Sequence, residues 1–408
     1  MAWPNEEYAS GRPLRRSPLY EKLRAANACF GEKLGWERPN WFAAPGETAA
    51  DIYTYEKPNW FAAVAREHKN TRENVSIFDQ TSFAKFLVIG RDAAAALSWI
   101  CANDVARDPG TLTYTQMLNM RGGIECDLTV ARLAADKFYI VTGTGFATHD
   151  ANWISRNIPA GMDAQLVDVT SAYACFALMG PNARAVLESL TADDVSNAGF
   201  PFGTAAEIKL AGAPVLALRV TYVGELGWEL YVPTEFAVTV YDALMQDGAA
   251  HGIMNAGYRA IETLRLEKAY RAWGSDIGPD HTPLEAGLGW AVKLKKNIPF
   301  QGRAALEAQA AAPLTKLFAG FTVDDPEIIL LGRETIYRDG VRVGWLSSGG
   351  FGHTIGKPIG YGYVRHPGGV DAAFIKAGSY ELEVATVRVP CTPHIGPLWD
   401  PKMQTVKR

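Results

Sequence analysis

The pattern of the sequence changes near residue 312, and this change constrains the fold more than any other feature. Before it, strand-like runs of alternating apolar and polar residues are interspersed with longer stretches of helical spacing. After it, residues 316–408 contain many glycines and prolines, short alternating runs and little helical signal. Short strands at this spacing favour a small β-barrel or sandwich. We therefore expect an α+β fold with a domain boundary near residue 312.

Within the larger part, three strand-like runs joined by close turns predict an antiparallel sheet over 111–142. The first 60 residues are rich in glycine and proline, so we expect a loop-rich N-terminal extension packed on the core. The chain is thus divided into residues 1–60, 61–312 and 313–408. Helices are predicted near 61–74, 147–157, 183–191, 235–251 and 257–270.

A near-identical octapeptide occurs twice in the first 63 residues, at 37–44 and 56–63. Two copies are too few for a solenoid. We interpret the Trp-Phe pair of each copy as an anchor that holds an extended segment on the core.

Charge and cysteine content exclude several classes of protein. The net charge of −4 and the pI of about 6.0 give no basic footprint for nucleic acid. The five cysteines are scattered and form no CxxC, so we expect no disulfide framework, no metal site and a reducing, cytoplasmic location. No apolar run approaches the ~20 residues that span a bilayer, so no membrane association is expected.

Three short segments carry residues suited to chemistry. Asp127 follows the Gly122-Gly123 turn and enters an apolar strand, where it serves either as a turn cap or, near a ligand nitrogen, as a stabiliser of positive charge. Tyr222 and Glu229 flank a glycine turn. Arg259 shares a helical face with Glu262, which predicts either a surface pair or an arginine that neutralises an anion or supports Glu229.

These segments resemble the glycine-cleavage T-protein (aminomethyltransferase) superfamily. The resemblance is carried by Gly122-Gly-Ile-Glu-Cys-Asp-Leu128, Thr221-Tyr-Val-Gly-Glu-Leu-Gly-Trp-Glu229, Gly257-Tyr-Arg-Ala260 with Leu264-Arg-Leu-Glu267, and Asp280-His-Thr-Pro-Leu-Glu-Ala-Gly-Leu-Gly-Trp290. Narrower motifs resemble the folate-binding C-terminal half of dimethylglycine and sarcosine dehydrogenases. They are Gly11-Arg-Pro-Leu-Arg-Arg-Ser-Pro-Leu-Tyr-Glu21, Trp36-Glu-Arg-Pro-Asn-Trp-Phe42, Ser82-Phe-Ala-Lys-Phe86 and Ser348-Gly-Gly-Phe-Gly-His-Thr354.

The resemblance implies a fold of two interleaved α+β subdomains plus a C-terminal β-barrel, with tetrahydrofolate as the cofactor. An asparagine of the family is replaced by Gly143, which removes one expected polar contact. By position, the resemblance implies a catalytic role for Asp127 beside the folate nitrogens, pterin recognition by Glu229, and a folate pocket to which Phe83, Tyr114, Tyr222, Arg259 and Trp290 contribute.

Two enzymatic functions are implied. In the favoured one, a formaldehyde or iminium equivalent from an N-methylated amine is captured as 5,10-methylene-tetrahydrofolate, with oxidation or demethylation by a separate subunit or domain, since 408 residues leave no room for a FAD domain. The alternative is a stand-alone demethylase that yields 5-methyl-tetrahydrofolate. A lipoylated carrier partner is less favoured by the N-terminal motifs. A folate-binding scaffold for iron–sulfur maintenance is disfavoured, because Lys296-Asn-Ile-Pro-Phe-Gln-Gly-Arg303 lacks the cysteine of such relatives.

Overall fold

The computed structural model describes residues 7–408. The helices are α1 (Tyr20–Ala25), α2 (Phe61–Glu73), α3 (Ala93–Ile100), α4 (Ala147–Asn157), α5 (Ala183–Glu188), α6 (Ala237–Gly248), α7 (Tyr258–Glu267), α8 (Arg303–Ala310) and α9 (Ala372–Ala377). The strands are β1 (Ala28–Lys33), β2 (Trp36–Phe42), β3 (Val75–Asp79), β4 (Ala84–Ile89), β5 (Leu112–Leu118), β6 (Ile124–Ala134), β7 (Lys137–Thr142), β8 (Gln165–Asp168), β9 (Tyr173–Met179), β10 (Ala205–Leu210), β11 (Ala213–Leu218), β12 (Gly227–Pro233), β13 (Ile253–Asn255), β14 (Lys316–Thr322), β15 (Thr335–Arg338), β16 (Val341–Gly352), β17 (Lys357–Arg365), β18 (Tyr380–Val384) and β19 (Val387–His394).

Two sheets form the central part of the molecule, and the chain passes between them. The first sheet has the order β10-β11-β12-β9-β3-β13, and the second has the order β5-β6-β7-β4-β8. Because β4 to β8 lie in sequence between β3 and β9, the second subdomain is inserted between strands of the first. The predicted α+β fold with two interleaved subdomains is therefore confirmed.

The two sheets pack face to face through an apolar cluster. Ala131 and Tyr139 of the second sheet contact the layer of Cys175, Leu218 and Tyr231 of the first. The opposite faces are covered by helices, with α5 and α6 on the first sheet and α3 and α4 on the second. Each sheet is thus buried on both faces, which explains the nearly continuous apolar runs of β9 and β12.

The C-terminal part is a closed barrel of order β14-β17-β16-β15-β18-β19, as the glycine- and proline-rich pattern predicts. Its interior is filled by Phe321, Ile336, Leu346 and Leu382. The strand β19 was not predicted. Its burial pattern is half-exposed throughout, so it lacks the apolar alternation that signals a strand.

A buried polar network joins the barrel to α7. Arg265 donates to Asp276 Oδ2 at 2.8 Å and to the Ser348 hydroxyl at 2.8 Å. The Ser348 hydroxyl donates to Asp276 Oδ1 at 2.7 Å, and the Tyr363 hydroxyl donates to the Asp276 carbonyl at 2.9 Å. Asp276 is fully buried. Because a buried charge is tolerated only when it is paired, this network fixes how the barrel docks.

A second buried ion pair lies at the other end of the same interface. Glu267 accepts from Arg72 at 3.0 Å, from His68 at 3.2 Å and from the Thr354 amide at 2.7 Å. Burial opposes ionisation, but the hydrogen bonds and the charges of His68 and Arg72 prevail and lower the pKa of Glu267 to about 2. The carboxylate therefore stays ionised while it holds the β16–β17 turn against α2 and α7.

The N-terminal segment contains more regular structure than its glycines and prolines predict. It forms α1 and a hairpin in which β1 pairs with β2. Trp41 is buried and donates through Nε1 to Asp51 at 2.8 Å, and Trp60 packs against the Arg259 guanidinium at 4.3 Å. Because Arg259 also binds Asp51, the tryptophans of both octapeptide copies meet at one ion pair.

No helix within residues 7–408 is long and apolar enough to cross a bilayer. The longest, α2, has 13 residues and contains buried Glu67 and His68.

We expect Asp276→Ala to lower the free energy of unfolding by about 3 kcal/mol, because it leaves the Arg265 guanidinium buried without its partner. Urea denaturation followed by circular dichroism measures this change. Asp324→Ala, at an exposed barrel position paired with Lys357, is the matched control and should change stability by less than about 1 kcal/mol. Equal effects of the two variants would contradict the role of the network.

Candidate functional site

Asp127 lies on the inner face of the second sheet, where β6 pairs with β5. Its register partner is Gln116, which donates through Nε2 to Asp127 Oδ1 at 2.8 Å. The Tyr114 hydroxyl also hydrogen-bonds the carboxylate. Burial raises the pKa of Asp127 to about 6, assisted by the charge of Asp150 and opposed by the bonds from Tyr114 and Gln116. A carboxyl that titrates near neutrality is suited to proton transfer and to stabilising a nearby cation.

Aromatic rings extend from Asp127 to the surface. Tyr114 stacks on Trp290 with 5.6 Å between ring centroids and an interplanar angle of 28°. Trp290 is 71% exposed, which places it at the outer end of this group. Tyr222 stacks on Tyr270 at 5.9 Å. Flat, apolar walls of this kind suit a planar ligand.

Arg271 connects the aromatic group to the barrel. It donates to the carbonyl oxygens of Ala269 and Ala286, and its guanidinium lies 4.8 Å from the ring centroid of Phe318 on β14. Its backbone carbonyl accepts from the Tyr222 hydroxyl at 2.9 Å. The positive charge opposes the rise in the pKa of Asp127. Arg271 is therefore fixed as a charged neighbour of the carboxylate rather than as its direct partner.

Glu229 is a buried carboxylate on the inner face of the first sheet. It is 8% exposed and accepts from the Tyr231 hydroxyl at 2.7 Å. Within the described part of the chain it forms no ion pair, and burial raises its pKa. The nearby Tyr139 hydroxyl is buried without a hydrogen-bond partner among residues 7–408. The Glu229 carboxylate and the Tyr139 hydroxyl therefore retain capacity for hydrogen bonds that residues 7–408 do not satisfy.

The glycines before Glu229 allow strand β12 to approach its neighbour closely. Gly224 has φ of 80°, a conformation that favours glycine. A methyl group added at Gly227 would lie 2.2 Å from the Leu178 carbonyl oxygen of β9. Any larger residue would therefore push β12 away, and Glu229, which is paired with Ala177, would shift with it.

Phe83 contributes to the inter-sheet cluster and approaches Tyr258 at 6.4 Å between centroids. The Tyr258 hydroxyl is 3.1 Å from Ser82 Oγ, which in turn lies 2.8 Å from Thr144 Oγ1. Phe83 and Glu229 therefore belong to the space between the sheets, whereas Tyr114, Asp127 and Trp290 lie toward its barrel side.

The ion-pair partner of Arg259 is Asp51 rather than Glu262. It forms a bidentate ion pair with Asp51 at 2.8 and 2.6 Å, while Glu262 pairs with Arg265. The expected surface pair of Arg259 with Glu262 is wrong, because a bidentate contact with a carboxylate 208 residues away in sequence takes the whole guanidinium. Arg259 also makes no contact with Glu229. Its assignment to the folate pocket stays a prediction.

Four residues of this region were not predicted. Gln116 follows Tyr114 by two positions and Tyr231 follows Glu229 by two, so strand alternation places each pair on one face. That periodicity was the available signal. Tyr139 and Arg271 had no comparable signal, since their positions depend on the packing of the two sheets and the barrel.

Two further features concern the end of strand β7 and helix α4. At Gly143 no side-chain amide exists, and the Phe146 ring lies 3.2 Å from where a Cβ would be. Ligand atoms of Cys126, His149 and Asp150 lie within 4.8 Å of one another, a proximity the scattered cysteines did not reveal. Asp150 accepts from the Thr142 hydroxyl at 2.6 Å and contacts His149 Nδ1 at 2.9 Å. Hydrogen bonding within the protein accounts for this cluster.

An interleaved α+β module followed by a closed barrel defines the class of aminomethyltransferase-like folds. Residues 19–296 match the GCVT N-terminal domain, and residues 316–400 match the glycine cleavage T-protein C-terminal barrel domain. The chain therefore belongs to the glycine-cleavage T-protein family.

Individual relatives agree with this assignment. The chain is 39% identical over its whole length to human mitochondrial sarcosine dehydrogenase, of which it covers 49%. It is 36% identical over 86% of its length to an aminomethyltransferase of Halothermothrix orenii, of which it covers 92%. The crystal structure of aminomethyltransferase T of the glycine cleavage system from Bartonella henselae matches 95% of this chain and 99% of that one, with a TM-score of 0.80 and 27% identity. The chain thus spans about half the length of the sarcosine dehydrogenases it matches.

The raised pKa of Asp127 predicts how stability depends on pH. Since the folded-state pKa of about 6 exceeds the usual value of 3.8, this group favours folding most below pH 4, and the contribution is lost as pH rises through 6. We expect the free energy of unfolding of Asp127→Asn, relative to the wild type, to increase by about 2 kcal/mol between pH 4 and pH 7. Urea titrations across this range test the trend. A constant difference would contradict the shifted pKa.

Proposed function

We propose that this chain binds tetrahydrofolate between its two sheets and transfers a one-carbon unit to it. The observation that carries the proposal is a pair of carboxylates on inner strands of opposite sheets, the buried Glu229 and the partly buried Asp127, each with a raised pKa and neither in an ion pair within residues 7–408. Buried carboxylates are rarely left without a cation, so a ligand with N–H donors and developing positive charge fits both.

The pterin ring supplies the donors that Glu229 lacks. Its aminopyrimidinone edge presents adjacent N–H groups, which a carboxylate accepts through two parallel hydrogen bonds. Tyr231 holds one oxygen of Glu229 at 2.7 Å and orients the group. The aromatic residues Phe83, Tyr114, Tyr222 and Trp290 provide walls for the pterin and the p-aminobenzoyl ring.

Asp127 is suited to the transfer itself. Bound tetrahydrofolate would supply the nitrogen that takes up the carbon of an iminium, and the electron pair of the iminium C=N bond would pass to the amine nitrogen. Asp127 would stabilise the positive charge that this bond formation places on the folate nitrogen and would accept the proton that is released. No covalent nucleophile of the protein is needed. Displacement of the amine by the second folate nitrogen would give 5,10-methylene-tetrahydrofolate, and the amine would leave as an ammonium ion that carries the two protons lost by the folate nitrogens.

We infer that the electrophile comes from oxidation of an N-methylated amine by a separate subunit or domain. The similarity to a sarcosine dehydrogenase along the whole chain, which covers only half of that protein, supports this source. The alternative is direct methyl transfer that gives 5-methyl-tetrahydrofolate without an oxidising half. The similarity to an aminomethyltransferase of which this chain covers 92% keeps a function without such a half open. The two functions differ in the oxidation level of the product.

We expect formaldehyde with tetrahydrofolate to yield 5,10-methylene-tetrahydrofolate faster with the protein than without it. N-methyl amines without an oxidase should yield no folate product. Chromatographic separation of the two folates measures both results. Formation of 5-methyl-tetrahydrofolate from an amine alone would contradict the favoured function and establish the alternative.

Two substitutions test the residues. We expect Asp127→Ala to reduce turnover at least about 100-fold while tetrahydrofolate still binds, because an interaction of the transition state is lost. Glu229→Gln should weaken tetrahydrofolate binding about 10- to 100-fold, since a charge-assisted pair of bonds is lost. Calorimetry measures the dissociation constants, with the exposed Glu207→Gln as control. Wild-type affinity in Glu229→Gln would reject the pterin assignment.

A further inference from the structure

Arg38 is a partly buried arginine that forms no ion pair within residues 7–408. It lies on β2, paired in register with Gly31 of β1, and its guanidinium carbon is 4.2 Å from the ring centroid of Tyr258. Within residues 7–408 the Arg38 side chain forms no hydrogen bond and no ion pair, and its Nε is buried without a hydrogen-bond partner. The preceding residue, Glu37, is fully engaged by Arg12.

Arg259, unlike Arg38, has an ion-pair partner. Arg259, adjacent to Tyr258 in α7, has its guanidinium bound at both ends by Asp51. Asp79 also acts electrostatically on Tyr258, but it is buried, accepts from the Thr81 amide at 3.0 Å and forms no ion pair with Arg38. An arginine seldom remains buried at one nitrogen without an acceptor. The guanidinium of Arg38 is therefore free to bind an anion.

Hydroxyl groups lie next to the ring on which Arg38 stacks. Tyr258 connects to Ser82 Oγ at 3.1 Å and, through it, to Thr144 Oγ1 at 2.8 Å. A second cation is close to the same turn, since a methyl added at Gly145 would lie 2.9 Å from Lys33 Cε. Lys33 belongs to the same hairpin as Arg38 and is exposed. Hydroxyl groups next to two cations of one hairpin suit a carboxylate.

We propose that Arg38, assisted by Tyr258 and Lys33, forms a carboxylate subsite at the outer end of the ligand-binding space, and that it holds the glutamyl tail of the folate. The inference rests on the proposed function for the source of the carboxylate. Phe83, 6.4 Å from Tyr258, joins the subsite to the inter-sheet space, so a ligand with an aromatic ring next to its carboxylate reaches both. The other source of the same chemistry is the carboxylate of an amino-acid substrate.

The test compares ligands that differ only in the carboxylate. Tetrahydrofolate and tetrahydropteroate, which lacks the glutamate, are titrated into the wild-type protein and Arg38→Met by calorimetry. We expect the wild type to prefer tetrahydrofolate about 10-fold and Arg38→Met to lose this preference, while the affinity for tetrahydropteroate is unchanged. Arg38→Lys should restore part of the difference, because it keeps the charge without the planar fork.

Arg15→Met is the matched control, since Arg15 also stacks on an aromatic ring, that of Trp36 at 4.1 Å, in the same hairpin. Equal losses for both folates in Arg38→Met would show a structural role and overturn the subsite, as would an unchanged preference for tetrahydrofolate. A third titration uses sarcosine. If Arg38→Met weakens sarcosine binding and leaves folate binding unchanged, Arg38 binds a carboxylate, and that carboxylate belongs to the amino-acid substrate. If neither folate binds the wild type, the proposed function fails, and the sarcosine titration still decides for or against the subsite.

Discussion

The packing of two interleaved sheets face to face is the constraint on which the rest of this structure depends. It buries Glu229 and shields much of Asp127, and burial is the largest contribution to the raised pKa of each. Tyr139 and Tyr231 come from opposite sheets and meet at 5.2 Å between ring centroids, so the packing also sets the width of the space. Without the interleaved chain path, the two carboxylates would belong to separate surfaces.

The barrel contacts residues that border the site. Phe318 of β14 stacks under Arg271, whose carbonyl holds the Tyr222 hydroxyl. Arg265 and Asp276 fix the barrel to α7 through contacts that include Ser348 and Tyr363. The orientation of the barrel is therefore coupled to the aromatic walls and to the charge next to Asp127. A change at the interface is expected to reach the site through these residues.

Much of this architecture follows from the sequence because local patterns determine it. The alternation over β5, β6 and β7 and the glycines before Glu229 identify the strands that carry both carboxylates. Contacts between distant segments were not predictable. Arg259 pairs with Asp51 across 208 residues, and no periodicity links the two positions. The strand β19 was missed because half-exposed edges of a small barrel lack an apolar face.

The N-terminal hairpin contributes a cationic side chain next to α7. Its residues bring Arg38 over Tyr258, while Trp41 and Asp51 attach the segment to α7. The most direct test of the central claim is a crystal structure of the protein with tetrahydrofolate. We expect the pterin edge at the Glu229 carboxylate, with a reactive folate nitrogen beside Asp127. A folate bound outside the inter-sheet space, for example along the outer face of α2, would contradict it.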